Sequence, residues 1–283
     1  MIMYSILNMN NIFESHIGPC LNQTELCNFK LTSRLARDNV EQVRFVDSTK
    51  PINCSISQWM KVFPSAITIN LSGRNDFIQN QLPNIQFLNI SNCPNITDAD
   101  LVNLNLKSLN ISNSKSITNA GLITLKNLEY LNISNCPNIT DEGLKGLSKL
   151  KYLNMSGTHN ITDHAFVNLK SLKTLIIKEC GNLTDLAFEH LKNLEHLDMS
   201  YCKQDQITDE AFLNLKNIKT INMMQCTQAI IGIYFKYFNN TVSIVSNYAG
   251  EFRDPELIKI MNLRIKNILK NKHVIHHQRK TFI

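Results

Sequence analysis

The chain has 283 residues, of which 43% are hydrophobic and 18% charged, and its mean hydropathy of −0.15 argues against a membrane-embedded class. Nine Gly and seven Pro exclude collagen-like and Pro/Gly-rich disordered chains, and eight Cys are too few for a disulfide scaffold. The net charge of +6 is uneven, because seven basic residues and no acid lie between Leu257 and Ile283. The preceding residues carry a net charge of −1, so no field of the whole body would steer the chain to nucleic acid or anionic lipid.

The sequence predicts a cytoplasmic or nuclear protein. No apolar run approaches the roughly 18 residues that a transmembrane helix needs, so no membrane span is expected. The N-terminus lacks the basic region of a signal peptide, and the cysteines are therefore expected to be reduced. About one residue in eight is Asn, a bias typical of AT-rich genomes such as those of some protists and large DNA viruses.

Residues 7–47 are predicted to form a small helical segment. A helix-like stretch precedes the break at Gly18-Pro19, and Thr24 can cap a second helix that ends near Arg37. The segment resembles an F-box, whose second helix closes with a Val-Ser-Lys-Arg-Trp/Phe-like signature where this chain has Leu-Thr-Ser-Arg-Leu at 31–35. The Leu-Pro start of that motif is absent, and the closing aromatic residue is replaced by Leu35.

The F-box resemblance implies that this segment docks a Skp1-like linker protein and, through it, a cullin complex. The docking residues would be an apolar set: Ile12, Phe13, Ile17, Leu26, Phe29 and Leu31. The alternative is a helical cap that protects the exposed edge of the following repeats. Residues 48–64 are expected to form a connector helix.

A repeat of about 22 residues follows. Its leading apolar residue recurs at intervals of 21, 22, 22, 22, 22 and 24 residues, at Leu88, Leu109, Leu131, Leu153, Leu175, Leu197 and Ile221. Alternating apolar residues there predict a short strand with one buried face. A downstream Ile-Thr-Asp predicts a helix start, with Thr as the cap and Asp near the positive end of the helix. Leu or Phe pairs three residues apart supply the apolar stripe of that helix.

The unit resembles the cysteine-containing leucine-rich repeat over residues 82–226, with a shortened unit at 67–72 and a degenerate one at 242–244. Because one unit cannot bury its own apolar face, the units are expected to stack. The predicted fold is α/β: a curved leucine-rich-repeat solenoid over residues 65–247, with a concave parallel sheet and outer helices.

No catalytic, cofactor or metal site is expected, and the protein is predicted not to be an enzyme. Five cysteines recur at one repeat position without a Cys-x-x-Cys pair, which favours buried structural thiols over metal ligands: Cys93, Cys136, Cys180, Cys202 and Cys226. No phosphate-binding Gly loop and no nucleophile-turn motif are present.

The concave face is the predicted partner-binding surface. In the early units its exposed positions are expected to be an uncharged Asn/Ser ladder, such as Asn89, Ser91 and Asn92, that carries little specificity. From the fifth unit the ladder breaks, and the predicted binding residues there are Ile176, Lys178, Glu179, Asp198, Tyr201, Met224 and Gln225. The alternative is relaxed sequence drift near the end of the solenoid.

Residues 251–283 are predicted to form a basic amphipathic helix and tail. The helix begins at Asp254-Pro255-Glu256, and its apolar positions lie opposite Lys259, Lys266 and Lys270. Such a helix can bind a membrane surface or an acidic partner, but a helix that closes the end of the solenoid is favoured. Nucleic-acid binding is not expected, because the tail lacks interleaved aromatic residues.

Together the resemblances imply the substrate-recognition subunit of a Skp1–cullin–F-box type ubiquitin ligase, which would hold an unknown protein substrate. The alternative is a leucine-rich-repeat interaction scaffold with no ubiquitin link.

Overall fold

The computed structural model describes residues 51–52, 55–75, 82, 84–202, 206–226 and 242–245. The predicted F-box-like segment at 7–47 and the predicted C-terminal helix and tail at 251–283 lie outside the described residues. Within the predicted connector, helix α1 runs over Ile56–Val62. Trp59 and Phe63 are fully buried, with ring centroids 5.1 Å apart, and belong to the same apolar core as the repeats.

A nine-stranded parallel sheet runs through the repeats. Its strands pair in sequence order from β1 to β9, so the sheet is open rather than closed into a barrel. The strands are Thr68–Asn70 (β1), Phe87–Asn89 (β2), Ser108–Asn110 (β3), Tyr130–Asn132 (β4), Tyr152–Asn154 (β5), Thr174–Ile176 (β6), His196–Asp198 (β7), Thr220–Asn222 (β8) and Ser243–Val245 (β9). The leading residue of every repeat pairs with its counterpart in the next, as Leu131 does with Leu153.

The core is a stack of equivalent apolar residues. In each strand from β2 to β8 the central residue is buried and its two neighbours are half-buried. Leu153, Met155 and Leu150 of one repeat, for example, are fully buried against their counterparts in adjacent repeats. This confirms the predicted α/β solenoid with a parallel sheet.

The outer side carries one short helix in each of six successive repeats. Helices α2 (Asp98–Leu101), α3 (Asn119–Ile123) and α4 (Asp141–Leu144) are followed by 3₁₀ helices at Asp163–Asn168, Asp185–Phe188 and Asp209–Phe212. The predicted outer helices are thus only four to six residues long, because a 22-residue unit leaves little chain between strands. The predicted Thr caps form their side-chain hydrogen bond at four of the six helices, as where the hydroxyl of Thr184 accepts a hydrogen bond from the backbone N–H of Leu186.

A ladder of side-chain hydrogen bonds joins the starts of these helices. The carboxylate of Asp163 accepts hydrogen bonds from the backbone N–H of Thr184 at 2.9 Å and from its hydroxyl at 2.7 Å. The same pair recurs in Asp98–Thr118, Asp141–Thr162 and Asp185–Thr208. At four of the six helix starts the acid therefore also holds the next repeat in register.

Candidate interaction surface

Two rows of half-buried side chains cover the concave face of the sheet. The residues before the central strand position form the first row: Phe87, Ser108, Tyr130, Tyr152, Thr174, His196 and Thr220. The residues after it form the second row: Asn89, Asn110, Asn132, Asn154, Ile176, Asp198 and Asn222. Because strand side chains alternate between faces, both rows point away from the core.

The Asn ladder of the second row has a structural role. The side-chain oxygen of Asn132 accepts a hydrogen bond from the backbone N–H of Ser134 at 3.0 Å, and the equivalent bond forms at Asn89 and Asn110. Such a bond closes a local turn at the end of the strand. The Asn side chains are therefore partly used by their own backbone.

The prediction that the Ser positions of this ladder are exposed is wrong. Ser91 and Ser112 are buried, at 7% and 8% exposure, and Ser134 is half-buried. The turn that the Asn side chain closes bends the backbone at the Ser. The residue after the Ser adopts the left-handed conformation: Asn92, Asn113 and Asn135 have φ of 57°, 61° and 56°.

Three of the predicted binding residues meet on strands β6 and β7 or just after them. Ile176 and Asp198 pair across these strands in the second row. The Lys178 Nζ lies 3.0 Å from the Asp198 Oδ2, and both side chains remain partly exposed. The structure thus forms an ion pair beside an apolar residue on the concave face.

Three of the other four predicted binding residues lie at the edge of this face. Glu179, Tyr201 and Gln225 are exposed and occupy the left-handed turn position of three successive repeats, with φ of 57°, 64° and 56°. These three residues form a rim beside the face. Met224 is half-buried and holds the same repeat position as Lys178.

The residues of the first row are not among the predicted binding residues. Tyr130 and Tyr152 lie on adjacent strands with ring centroids 6.3 Å apart, and three strands along the sheet from Tyr130 the Nδ1 of His196 lies 2.8 Å from the Thr220 hydroxyl. The missed signal was a large or polar residue recurring directly before each leading Leu. An alternating strand exposes the positions on both sides of a buried residue, so this row could have been found.

Burial shifts the pKa of two groups on this face. It is the main cause of the lowered pKa of His196; the charge of Lys219 also lowers this pKa, and the charge of Glu195 raises it. Burial, with a smaller contribution from Asp198, raises the pKa of Tyr152. Both groups are therefore neutral near pH 7, and the described strand positions of the concave face owe their charge to Asp198.

Positive and negative charges that nearly cancel in the net charge of the repeats lie in different parts of the solenoid. The residues 104–107, 125–129, 147–151, 169–173, 191–195 and 215–219, which lead into the strands, contain nine Lys and two Glu. Glu195 bridges two of these lysines, Lys173 and Lys219, and their hydrogen bonds lower its pKa to about 2. One edge of the solenoid is therefore basic.

The five repeat cysteines are buried thiols that donate hydrogen bonds to the preceding repeat. The Cys136 Sγ lies 3.0 Å from the carbonyl oxygen of Ile111, and the Cys202 Sγ lies 3.0 Å from that of Ile177. Burial raises the pKa of Cys136 to about 11 and that of Cys202 to about 12, so both are protonated at neutral pH.

The part of the chain that the structure describes contains no helix long and apolar enough to cross a membrane. Its His, Cys, Asp and Glu residues form no group of three or more that could hold a metal ion. The predicted linker-docking residues Ile12, Phe13, Ile17, Leu26, Phe29 and Leu31 lie outside that part.

Comparison with known proteins supports the repeat class. The chain matches the family described as Leucine Rich repeat over residues 102–126 and 124–148. Curated protein sequences give no significant match. Among solved structures, internalin C2 from Listeria monocytogenes aligns with a TM-score of 0.53 and 22% identity, covering 72% of this chain and 92% of that one.

The chain in the crystal structure of a TLR13–ssRNA13 complex aligns with a TM-score of 0.52 and 21% identity. The alignment covers 76% of this chain, which spans about a third (32%) of the TLR13 chain. At these identities the likeness shows the fold. With the open parallel sheet and the 22-residue period, it places the protein in the class of solenoids, and the repeats are leucine-rich repeats.

Proposed function

We propose that the protein is a non-enzymatic adaptor that binds a protein partner on its concave face. The observation that carries this proposal is the first row of that face. Tyr130 and Tyr152 form an aromatic pair on the concave side of rigid adjacent strands. Tyr side chains with an apolar ring and a polar tip dominate the energetics of protein interfaces.

The Lys178–Asp198 ion pair gives this face its charge selectivity. A partner that reaches from Tyr130 to Asp198 crosses four strands, β4 to β7. Parallel strands lie roughly 4.8 Å apart, so this span is about 14 Å. The rim residues Glu179 and Tyr201 would contact the edge of such a partner.

The concave-face proposal is tested by substitution once a partner is purified. Tyr152→Ala and Lys178→Ala should each weaken binding by more than ~1 kcal/mol in calorimetry. Lys145→Ala on the outer side is the matched control and should leave the affinity unchanged. Equal losses for all three variants would contradict a concave site.

We further propose that this adaptor is the substrate-recognition subunit of a Skp1–cullin–F-box type ubiquitin ligase. The support is the F-box resemblance of residues 7–47 together with the cysteine-containing form of the repeat. Residues 7–47 would dock the linker protein while the solenoid holds the substrate. Tethering raises the effective concentration of substrate lysines near the ubiquitin-loaded enzyme.

Binding of a purified Skp1-like linker protein tests this role. The full chain should bind it, and Phe13→Glu or deletion of residues 1–47 should abolish binding. An unchanged circular dichroism spectrum of the repeats is the control for folding. No binding by the full chain, or binding that survives the deletion, would contradict the F-box assignment and favour an interaction scaffold with no ubiquitin link.

A further inference from the structure

A groove lies along the basic edge of the solenoid, where the chain leads into strands β5 to β8. Its charged lining consists of Lys151, Lys173, Lys219 and Glu195, and its volume is about 390 Å³. We name it the basic groove. The three lysine side chains are 48%, 55% and 62% exposed, whereas that of Glu195 is 19% exposed. The groove therefore presents ammonium groups to solvent and largely covers its one carboxylate.

Glu195 shows how this groove holds a carboxylate. Its Oε1 accepts a hydrogen bond from the Lys173 Nζ at 2.8 Å, and its Oε2 accepts one from the Lys219 Nζ. These two lysines belong to the repeats on either side of Glu195. One carboxylate thus bridges two ammonium groups from different repeats, with a charge-assisted hydrogen bond to each.

A second pair of lysines is arranged for such a bridge. Before strands β3 to β8 the residues of this row are, in order, Lys107, Glu129, Lys151, Lys173, Glu195 and Lys219. Lys151 and Lys173 are therefore the one pair of lysines on adjacent strands in this row, and the backbone N–H of Lys173 donates to the Lys151 carbonyl oxygen at 2.8 Å.

The ammonium groups of this pair bind glutamates on opposite sides. The Lys151 Nζ donates to Glu129 at 2.5 Å, while the Lys173 Nζ donates to Glu195. Like charges on adjacent strands destabilise a sheet, and an anion between them relieves the repulsion. Because an ammonium group has three donors, both lysines can also bind one carboxylate placed between them.

The fold does not require lysines at this edge. The same row holds the uncharged Gln86 before β2, and Ser148 stands in one repeat at the position that Lys126 and Lys170 occupy in its neighbours. Solubility is served by charges of both signs, so it does not account for nine lysines against two glutamates.

The uncharged lining of the basic groove fits a peptide backbone. It consists of Ser171, Asn193 and Asn217, and each Asn amide donates to a backbone carbonyl of the preceding repeat at 2.9 Å. Hydroxyl and amide groups offer both donors and acceptors, as a peptide backbone does. A phosphodiester backbone offers acceptors, and the lining contains no aromatic residue on which a base could stack. The lining therefore favours a peptide over a nucleic acid.

We propose that the basic groove binds an extended acidic segment of a protein, with one of its carboxylates bridging Lys151 and Lys173 and a second carboxylate at Lys219. The strands β5 to β8 span about 14 Å, which about five residues of an extended peptide cover. This site requires neither the proposed partner of the concave face nor the F-box assignment.

Fluorescence anisotropy of a labelled oligoglutamate peptide, titrated with the full chain, tests the site. The peptide should bind, and Lys151→Gln with Lys173→Gln should weaken binding about tenfold. Lys115→Gln with Lys145→Gln removes the same charge outside the groove and is the matched control, which should leave the affinity unchanged. Glu195→Gln should tighten binding about threefold, because it removes the carboxylate of the groove itself. Unchanged circular dichroism verifies that each variant is folded.

Carbodiimide cross-linking read by mass spectrometry locates the bound peptide, since the basic residues 257–283 also attract it. The reagent joins a peptide carboxylate to a lysine amine as an amide, with the oxygen lost to the carbodiimide as its urea. Cross-links should form at Lys151, Lys173 and Lys219.

Three results would overturn the proposal. They are the absence of oligoglutamate binding, cross-links confined to residues 257–283, and equal losses of affinity in the groove and control variants. Tighter binding of an oligouridylate RNA of equal charge, lost in the same groove variant, would also overturn it, because the groove would then be a nucleic-acid site.

Discussion

At the scale of residues, Asn can replace Asp in the ladder of hydrogen bonds that joins the starts of the outer helices. Asn119 takes the place of Asp in the ladder of helix starts: its side-chain oxygen accepts from the Thr140 backbone N–H at 2.9 Å, and its amide donates to the Thr140 hydroxyl at 2.8 Å. The two side chains differ in charge and share an acceptor oxygen in the same place. The ladder therefore depends on the acceptor and not on the negative charge.

Asp163→Ala should lower the free energy of unfolding by about 1–3 kcal/mol, because it leaves the Thr184 backbone N–H and hydroxyl without their acceptor. Asp163→Asn keeps the acceptor, as Asn119 does, and should cost less than about 1 kcal/mol. Urea unfolding of both variants is the measurement. Equal losses for Ala and Asn would show that charge, and not the hydrogen bond, matters here.

The buried thiols predict a loss of stability at alkaline pH. Burial raises the pKa of Cys180 to about 11 and that of Cys202 to about 12, from an ordinary value of 9.0. The folded state thus holds these protons more tightly than the unfolded state. Their contribution is complete below pH 9 and is lost as pH rises toward 11–12.

The free energy of unfolding should therefore fall by on the order of 1–3 kcal/mol per thiol between pH 9 and pH 11. Urea unfolding at several pH values measures this slope. Cys180→Ser with Cys202→Ser should flatten it, whatever its effect at pH 7. A slope identical in the wild type and the double variant would assign the loss to other groups.

At the scale of elements, a missing side chain decides how closely the early outer helices pack. A Cβ at Gly143 in α4 would lie 2.6 Å from the Asn119 Oδ1, the ladder acceptor of the preceding helix α3. In the later repeats this helix position holds Ala165, Ala187 and Ala211, and the turn there is a 3₁₀ helix. Close approach through a Gly therefore occurs in α3 and α4, at Gly121 and Gly143, whereas the α-helical α2 holds Asp100 at this position.

Gly143→Ala should lower the free energy of unfolding by about 1–3 kcal/mol, because the new methyl group displaces the Asn119 side chain from Thr140. Gly146→Ala is the control, since a Cβ there meets nothing within 4 Å. It should be neutral or stabilise by up to about 1 kcal/mol. Thermal unfolding compares the two, and an equal loss in both would contradict the packing argument.

At the scale of the whole molecule, the solenoid is a sum of contacts between neighbouring repeats. Each described strand pairs only with its neighbours in sequence. The side-chain ladders likewise join one repeat to the next, as Asp141 does with Thr162. Stability in such a structure is the sum of repeat and interface contributions, so whole repeats can be removed without loss of the fold.

Deletion of residues 131–152, one period of 22 residues, joins Tyr130 to Leu153 and keeps every repeat position in register. This variant should fold, with an unchanged circular dichroism signal per residue and a lower unfolding midpoint. Deletion of residues 131–141 removes half a period and should abolish cooperative unfolding. A folded half-period variant would contradict the register argument.

The sequence by itself determined the repeat, the buried strand positions, four of the six Thr caps and the placement of the cysteines. Each of these follows from a local pattern of period 2, 3 or 22 that can be read along one chain. Ile176 and Asp198 were likewise placed on the concave face by alternation within their own strands. The functional role of that face, and the F-box and C-terminal segments, stay predictions.

Only the tertiary structure decided which side chains from different repeats meet. The Lys178–Asp198 ion pair, the Tyr130–Tyr152 pair and the Asp163–Thr184 bonds each join residues 20 to 22 positions apart. It also separated charges that cancel in the sum, placing lysines along the edge before the strands and acids on the outer side. The physical reason is that stacking superimposes equivalent positions, so a bias too weak to notice within one repeat becomes a continuous surface across seven.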